Sequence, residues 1–388
     1  MALFLQKLYD DTRDLEMNLV AGKQGLTNVV KGIHMVEHEE ISAFLEQGEI
    51  VFTTGAGLEC ESDLYQLVRK NHENGASGMV INIGPFIHGI PDSVREYCND
   101  KGFPLFQVPW HIQMTRIMKR CMVEVMKSET MQMELSAAIE TAITFPTRTE
   151  QYIPTFEKYN LRPGWKYCVS VLEIADGEHM ENSLRTYRRT AAENYLVQNF
   201  PGTIVIEMDR RYVLVFPKYE DTETEKAMRR FIKDFFWNMD YGVQVYFGIG
   251  QSVNGIEQIG TSYSQALNVV DVKKRGISGI SSPCYRDLGE YKILMSIKQE
   301  HVLEDFYREY LYPLAAYDQA NRTDYVKFLE SYLKNNCNVH ETSSQLYLHR
   351  NTVNYKLNKI GKILNCDLSN LRDKTRLILA YMIYYMRG

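Results

Sequence analysis

The chain has 388 residues, 45% of them hydrophobic, and a net charge of −5. This suggests a soluble protein of two or three domains with well-filled cores. Its longest apolar run, Ile378–Met386, is too short to span a bilayer, and the amino terminus lacks the pattern of an export signal. Seven cysteines without a C-x-x-C pair suit a reducing cytoplasm and argue against a disulfide frame or zinc ribbon.

Residues 1–111 alternate strands and helices. Ile33–Val36, Ile50–Thr54, Gly78–Ile83 and Pro104–Val108 read as short strands. Glu40–Gln47, Asp63–Asn74 and Pro91–Lys101 carry helical periodicity, each with a glycine near its end. Such alternation implies a mostly parallel sheet covered on both faces. Ligands bind such sheets beyond the carboxyl ends of the strands. The candidate effector residues there are Thr53, Thr54, Gly55, Gly57, Asn82, Gly84, Phe86 and Trp110, with Pro109 and His111 beside them. They combine hydroxyls, an amide, small residues and aromatics that stack on planar ligands. The same positions equally suit glycine turns and a Trp110 that fills an apolar seam. His34 and His38 lie four apart, but His34 falls in a strand with no third ligand near, so no metal site is expected.

Residues 112–159 hold one long helical candidate, Ile112–Thr144, and a linker. Met114, Met118, Met122 and Met126 recur every four residues and read as core filler, leaving room for a dimer-forming or signal-transmitting helix.

Residues 160–285 read as α/β with antiparallel strands. Strands are expected at Tyr167–Ile174 and Val243–Gly248, with a Thr203–Met208/Tyr212–Pro217 hairpin around Asp209-Arg210-Arg211. Leu184–Asn199, Glu225–Met239 and Ser262–Arg275 are the expected helices.

Residues 286–388 end in a helix-turn-helix over Asn338–Leu364. Val353, Leu357, Ile360 and Leu364 form one apolar stripe, which leaves Asn351, Tyr355 and Asn358 pointing away and Asn354 on the flank. Asparagine suits bidentate contact with adenine, and Arg350 sits at the helix start where base contacts concentrate. Lys356, Lys359 and Lys362 add charge near the phosphates. Glu341–Leu346 reads as the first helix, capped by Asn338, and Tyr347-Leu348-His349 as a tight connection with Leu348 as its buried pin. An ordinary helical hairpin has the same spacing, but the charge is segregated. Residues 321–388 hold eleven Lys/Arg against five Asp/Glu, net +6, leaving 33 basic and 44 acidic residues, net −11, before them. A basic end on an acidic body is what attraction to phosphate requires.

His349-Arg350-Asn351-Thr352-Val353, Tyr355-Lys356-Leu357, Ile360, Asp367-Leu368 and Thr375-Arg376-Leu377-Ile378-Leu379-Ala380 resemble the terminal helix-turn-helix of PucR/CdaR transcription regulators. The resemblance adds Thr352 to the DNA-binding set. Cys366 departs from the family's glycine, and Asn365 beside it tolerates the left-handed helix end such a turn needs. Gly25-Leu26, Glu49–Gly55 and Gly102-Phe103-Pro104-Leu105 resemble the PucR amino-terminal domain, which implies a sensor for small metabolites, often nitrogen compounds. The middle segment resembles a GGDEF-like domain through Gly248-Ile249-Gly250 and Tyr263-Ser264-Gln265-Ala266-Leu267. The implied fold class is a multi-domain α/β plus all-α chain: a parallel α/β sensor, a ferredoxin-like or GGDEF-like α+β middle domain, and a terminal helical domain.

A nucleotide cyclase needs metal-binding carboxylates and a glycine turn at the hairpin, but Met208-Asp209-Arg210-Arg211-Tyr212 stands there. No catalytic residue, metal or cofactor is therefore expected, and Gly248-x-Gly250 alone is a weak phosphate signal. No P-loop, H-E-x-x-H or G-x-S-x-G is present. The expected partners are promoter DNA, a small-molecule effector and a second copy of the chain in a homodimer or higher oligomer, in the cytoplasm and without a membrane. The rival reading is a metabolite-sensing adaptor or scaffold that docks a protein.

Overall fold

The computed structural model describes residues 3–175, 192, 194–196, 198–236, 244–277, 280–297 and 299–387. Two compact units divide the chain, Met1–Val245 with Ile249–Ser264, and Tyr246–Gly248 with Gln265–Gly388.

In the first unit, β1 (Asn18–Ala21), β2 (Gly32–Met35), β3 (Glu49–Thr53), β4 (Gly78–Ile83) and β5 (Leu105–Pro109) form a sheet of order β1-β5-β4-β3-β2. Strands β2 to β5 run parallel, and β1 lies antiparallel on β5. The helices of this region are α1 (Leu5–Asp11), α2 (Glu61–Glu73), α3 (Asp92–Lys101) and α4 (Met114–Thr144). Side chains alternate along a strand, so each apolar run serves two faces. Ile50, Phe52, Val80, Phe106 and Val108 bury with residues of α1 and the first half of α4. Val51, Met79, Ile81 and Leu105 bury with residues of α2 and α3. Burying each such side chain contributes roughly 1.5–3 kcal/mol.

Three elements of this region differ from expectation. The helix expected at Glu40–Gln47 is a 3-10 turn, Glu39–Phe44. So short a segment needs tertiary packing to hold an α-helix, and its apolar side chains give little: Ile41 and Leu45 are partly buried while Phe44 stays 77% exposed. The α1 helix and the antiparallel edge β1 were not foreseen, because each is short and carries little periodic signal.

In α4 the buried row is Met114, Ile117, Cys121 and Val125, while Met122 and Met126 are exposed. The methionine row therefore fills the core only at its start. Four residues advance a helix by about 400°, so a row spaced by four drifts about 40° per step and leaves the buried face. The following α5 (Thr149–Lys158) occupies part of the expected linker, and its Lys158 pairs with Glu134 of α4 at 2.6 Å.

A second sheet holds β6 (Lys166–Ala175), β7 (Ile204–Met208), β8 (Arg211–Pro217), β9 (Gln244–Ile249) and β10 (Val253–Asn254). Its order is β10-β6-β8-β7, with β9 also paired to β6. The pairs β6–β8, β7–β8 and β10–β6 are antiparallel, as expected for the middle segment. Helix α6 (Asp221–Phe231) starts earlier than expected because Glu220 and Glu223 form a capping box there, and a π-turn at Ile232–Phe236 follows it. Most of the expected helix Leu184–Asn199, and the end of Glu225–Met239, lie outside the described residues.

Helix α7 (Ile259–Lys274) explains the two nearby glycines. A Cβ on Gly250 would stand 2.0 Å from the Ser262 carbonyl oxygen, and one on Gly248 2.1 Å from that of Ala266. Both glycines serve close backbone packing, a bland origin for the Gly248-x-Gly250 signal.

The second unit is helical beyond α7, with α8 (Tyr291–Ser296), α9 (Glu300–Tyr310), α10 (Tyr312–Asn321), α11 (Tyr325–Lys334), α12 (Val339–Gln345), α13 (Arg350–Leu364) and α14 (Leu371–Met386). Leu311, Leu314, Phe328, Leu329, Val353, Ile360, Leu377 and Ala380 share one core. Asp318 ties α10 to α11, its carboxylate accepting the Tyr325 and Val326 N–H groups at 2.9 and 2.8 Å. Tyr381 of α14 donates to the Val326 carbonyl at 2.7 Å, and burial pushes its hydroxyl well above the usual phenol range. Among the described residues no helix is long and apolar enough to cross a membrane.

Candidate functional site

The terminal helix-turn-helix segment is assembled by local capping. Asn338 accepts from the His340 and Glu341 N–H groups at 2.9 and 3.3 Å, which starts α12 as its sequence predicts. The chain then turns at Tyr347, whose φ is 52°, and the Leu348 N–H returns to the Ser343 carbonyl at 2.9 Å. Leu348 is partly buried against the helical core, as its pin role requires. His349 begins α13 by accepting the Asn351 N–H on Nδ1 at 3.2 Å. Val353, Leu357 and Ile360 are buried, which anchors one face of α13 and fixes what the other face presents.

That other face carries Arg350, Asn351, Thr352, Asn354, Tyr355, Asn358 and Lys362, all exposed. Lys356 and Lys359 are only half exposed and lie elsewhere. Lys356 Nζ donates to Asp324 at 2.8 Å and rests 5.0 Å from the Phe328 ring centroid, while Lys359 Nζ sits 5.7 Å from that of Tyr317. Both ammonium groups lie near aromatic rings of neighbouring helices, which accounts for their reduced exposure. Tyr347 at the turn, 96% exposed, was not singled out from the sequence. Its place between two helices of this type was the available signal.

Asn365 closes α13 at φ 48° and ψ 48°, so the departure at Cys366 leaves the left-handed end intact. Burial pushes the Cys366 thiol up to about 11.

The sheet mouth holds the other candidates in two adjoining groups. Thr53, Thr54 and Gly55 surround the carboxylate of Glu37, a residue the sequence did not single out. Gly57 lies close to the same loop, where a Cβ would stand 2.3 Å from the His38 ring. Gly84 lies against Trp110, whose ring meets Phe86 edge-on at 6.0 Å, and both aromatics are about half exposed. Asn82 is buried, and its amide donates to the Val108 and Pro109 carbonyls at 3.3 and 3.2 Å, so it ties β4 to β5. His34 contacts Glu49 at 3.1 Å within the sheet. No group of three His, Cys, Asp or Glu suited to a metal exists among the described residues.

At the middle-domain hairpin, Met208 pairs directly with Arg211, leaving a two-residue turn. Asp209 and Arg210 have φ of 50° and 62°, values that favour glycine. The turn keeps the backbone of a glycine hairpin without the glycines. Arg211 is held by Glu173 at 2.8 Å.

Three segments in succession match family models. Residues 9–125 match the purine catabolism regulatory protein-like family, residues 153–272 a GGDEF-like domain, and residues 325–383 the PucR C-terminal helix-turn-helix domain. The proline-responsive transcriptional activator PutR of Bacillus subtilis (strain 168) is 29% identical over 56% of this chain and 53% of its own length. The DNA-binding transcriptional activator AdeR of the same organism is 23% identical over 60% and 54%. The carbohydrate diacid regulator of Escherichia coli (strain K12) is 26% identical over 54% and 52%. The chain thus spans about half the length of these curated relatives. The chain carries, in this order, a segment like the PucR-type amino-terminal family, a GGDEF-like domain and a PucR-type C-terminal helix-turn-helix domain.

Proposed function

We propose that the protein is a metabolite-responsive regulator that binds promoter DNA through α13. The observation that carries this reading is the exposed set on α13, with Arg350 at its start, Asn354 on the flank and Asn351, Tyr355 and Asn358 opposite the buried anchor, on a net-basic segment. Arginine and asparagine have the donor and acceptor geometry to read base edges, and exposed lysines supply phosphate contacts. A symmetric homodimer would present two such helices to half-sites about one helical turn apart.

The effector enters at the mouth of the parallel sheet, beside Thr53, Thr54, Gly55, Phe86 and Trp110. Relatives named for proline and for carbohydrate diacids make small polar metabolites the class to screen first. The middle domain couples or dimerises and has no catalytic role, because Asp209-Arg210 replaces the glycine turn a cyclase needs.

Binding of the full chain to its own promoter, titrated with salt, tests the DNA reading. Affinity must fall steeply, with a log–log slope of about −0.9 per phosphate contact. A protein adaptor would show no specific DNA binding. Thr53→Ala/Thr54→Ala must abolish effector response while DNA affinity persists. Appearance of a cyclic dinucleotide on incubation with GTP and magnesium would overturn the non-catalytic reading.

A further inference from the structure

The Glu37 carboxylate lies in a cradle of four donors at the carboxyl end of β3. Thr53 and Thr54 donate through their hydroxyls at 3.0 and 2.8 Å. The N–H groups of Thr54 and Gly55 donate at 3.0 and 2.9 Å. Each carboxylate oxygen accepts from a hydroxyl and a backbone amide. Consecutive N–H groups flanked by hydroxyls make a concavity for an anion. The anion that fills it comes from the loop after the neighbouring strand β2, and Glu37 is itself half exposed rather than sealed in the core.

The cradle adjoins the aromatic part of the mouth. A Cβ on Gly55 would stand 2.4 Å from Ile87, so the two loops touch there. Ile87 in turn accepts the Gly84 N–H at 2.8 Å, and Gly84 lies against Trp110. Anion donors and the exposed Phe86–Trp110 pair therefore share one rim, across the ends of three adjacent parallel strands.

We infer that Glu37 is an internal occupant of the effector site, displaced by the carboxylate of a small organic acid whose body rests on Phe86 and Trp110. This rests on the effector-sensing reading above. Two carboxylates do not share one set of four donors, since like charges repel at that distance, so binding is an exchange. The exchange weakens the apparent affinity by the fraction of time the cradle is open. It also gives the effector a mechanical output. Release of Glu37 frees the loop that leads into the Glu39–Phe44 turn, where Phe44 stands exposed.

The test is calorimetric titration of the full chain with acetate and with succinate at constant ionic strength. Glu37→Gln keeps the side-chain volume but turns an NH2 group toward the donors, which weakens the internal occupant. We expect both probes to bind about tenfold tighter to Glu37→Gln than to the parent, as for an occupant present about nine-tenths of the time. Adding Thr53→Val/Thr54→Val must remove that gain. Glu37→Asp, which keeps the charge but withdraws it from the donors, must give a smaller gain of the same sign. Equal or weaker binding by Glu37→Gln and Glu37→Asp would overturn the exchange. If metabolites still alter DNA binding by the parent in that case, sensing stands and only the exchange is lost.

Discussion

Lys356 donates from Nζ to the Asp324 carboxylate at 2.8 Å, so a lysine of α13 is engaged by its own domain. Its charge is already paired and its ammonium lies near the Tyr325 and Phe328 rings, whereas Lys362 on the same helix is exposed. Spacing alone made the two lysines equivalent. We expect Lys362→Ala to reduce the salt slope of DNA binding by about one phosphate contact. Lys356→Ala should leave the slope unchanged and lower the stability of the helical unit by about 1 kcal/mol, a value typical of a partly exposed pair with aromatic contact. Equal slopes for the two variants would sink the distinction.

Arg350 and Asn351 lie at the exposed start of α13. Replacing either by Ala should cost roughly 1–3 kcal/mol of discrimination between the operator and random DNA. Affinity for random DNA should change far less. Competition binding with both DNAs decides this, and a uniform loss on both would remove base reading from these residues.

Ile360 is fully buried in the helical core. Ile360→Ala should destabilise that unit by about 2–5 kcal/mol through lost burial and a residual cavity. In denaturant melts this transition should move while a probe in the first sheet does not.

Asn365 ends α13 at φ 48°. Asn365→Gly should be neutral or slightly stabilising, and Asn365→Ala should cost about 1 kcal/mol, because glycine has no Cβ to strain a left-handed residue, while alanine keeps the Cβ and loses the polar side chain that lets asparagine tolerate it. Thermal melts of the pair test the turn directly, and matching melting points would contradict it.

Burial pushes the thiols of Cys98 and Cys121 up to about 12 from an ordinary value of 9.0. A raised folded-state pKa favours the native state fully below the unfolded value, and that contribution is lost as pH rises through the folded value. The window is therefore about pH 9 to 12. Urea midpoints should fall across it, and less so in Cys98→Ala/Cys121→Ala than in the parent. Identical falls would exclude the thiols as the cause.

Much of the architecture was legible because it rests on local pattern. The Val353, Leu357 and Ile360 stripe needs only a 3.6-residue period, and its burial follows directly. Parallel β3, β4 and β5 were visible as short apolar runs between helices with glycine ends. Edge strand β1 and helix α1 were not, since each is held mainly by what it packs against. The methionine row of α4 misled because a four-residue repeat looks like a face but drifts off it.

The candidate sites divide along the same line. Sequence alone placed Asn351, Tyr355 and Asn358 on one face and Arg350 at the helix start, because a helix converts spacing into direction without help from distant residues. It also located Thr53, Thr54 and Gly55 at a strand end. Only the tertiary structure brought Glu37 to those donors from the loop after β2, turned Lys356 to Asp324, and set Trp110 against Gly84. Those contacts join residues 16, 32 and 26 positions apart, and pairings at such separations are decided by which surfaces the fold brings together.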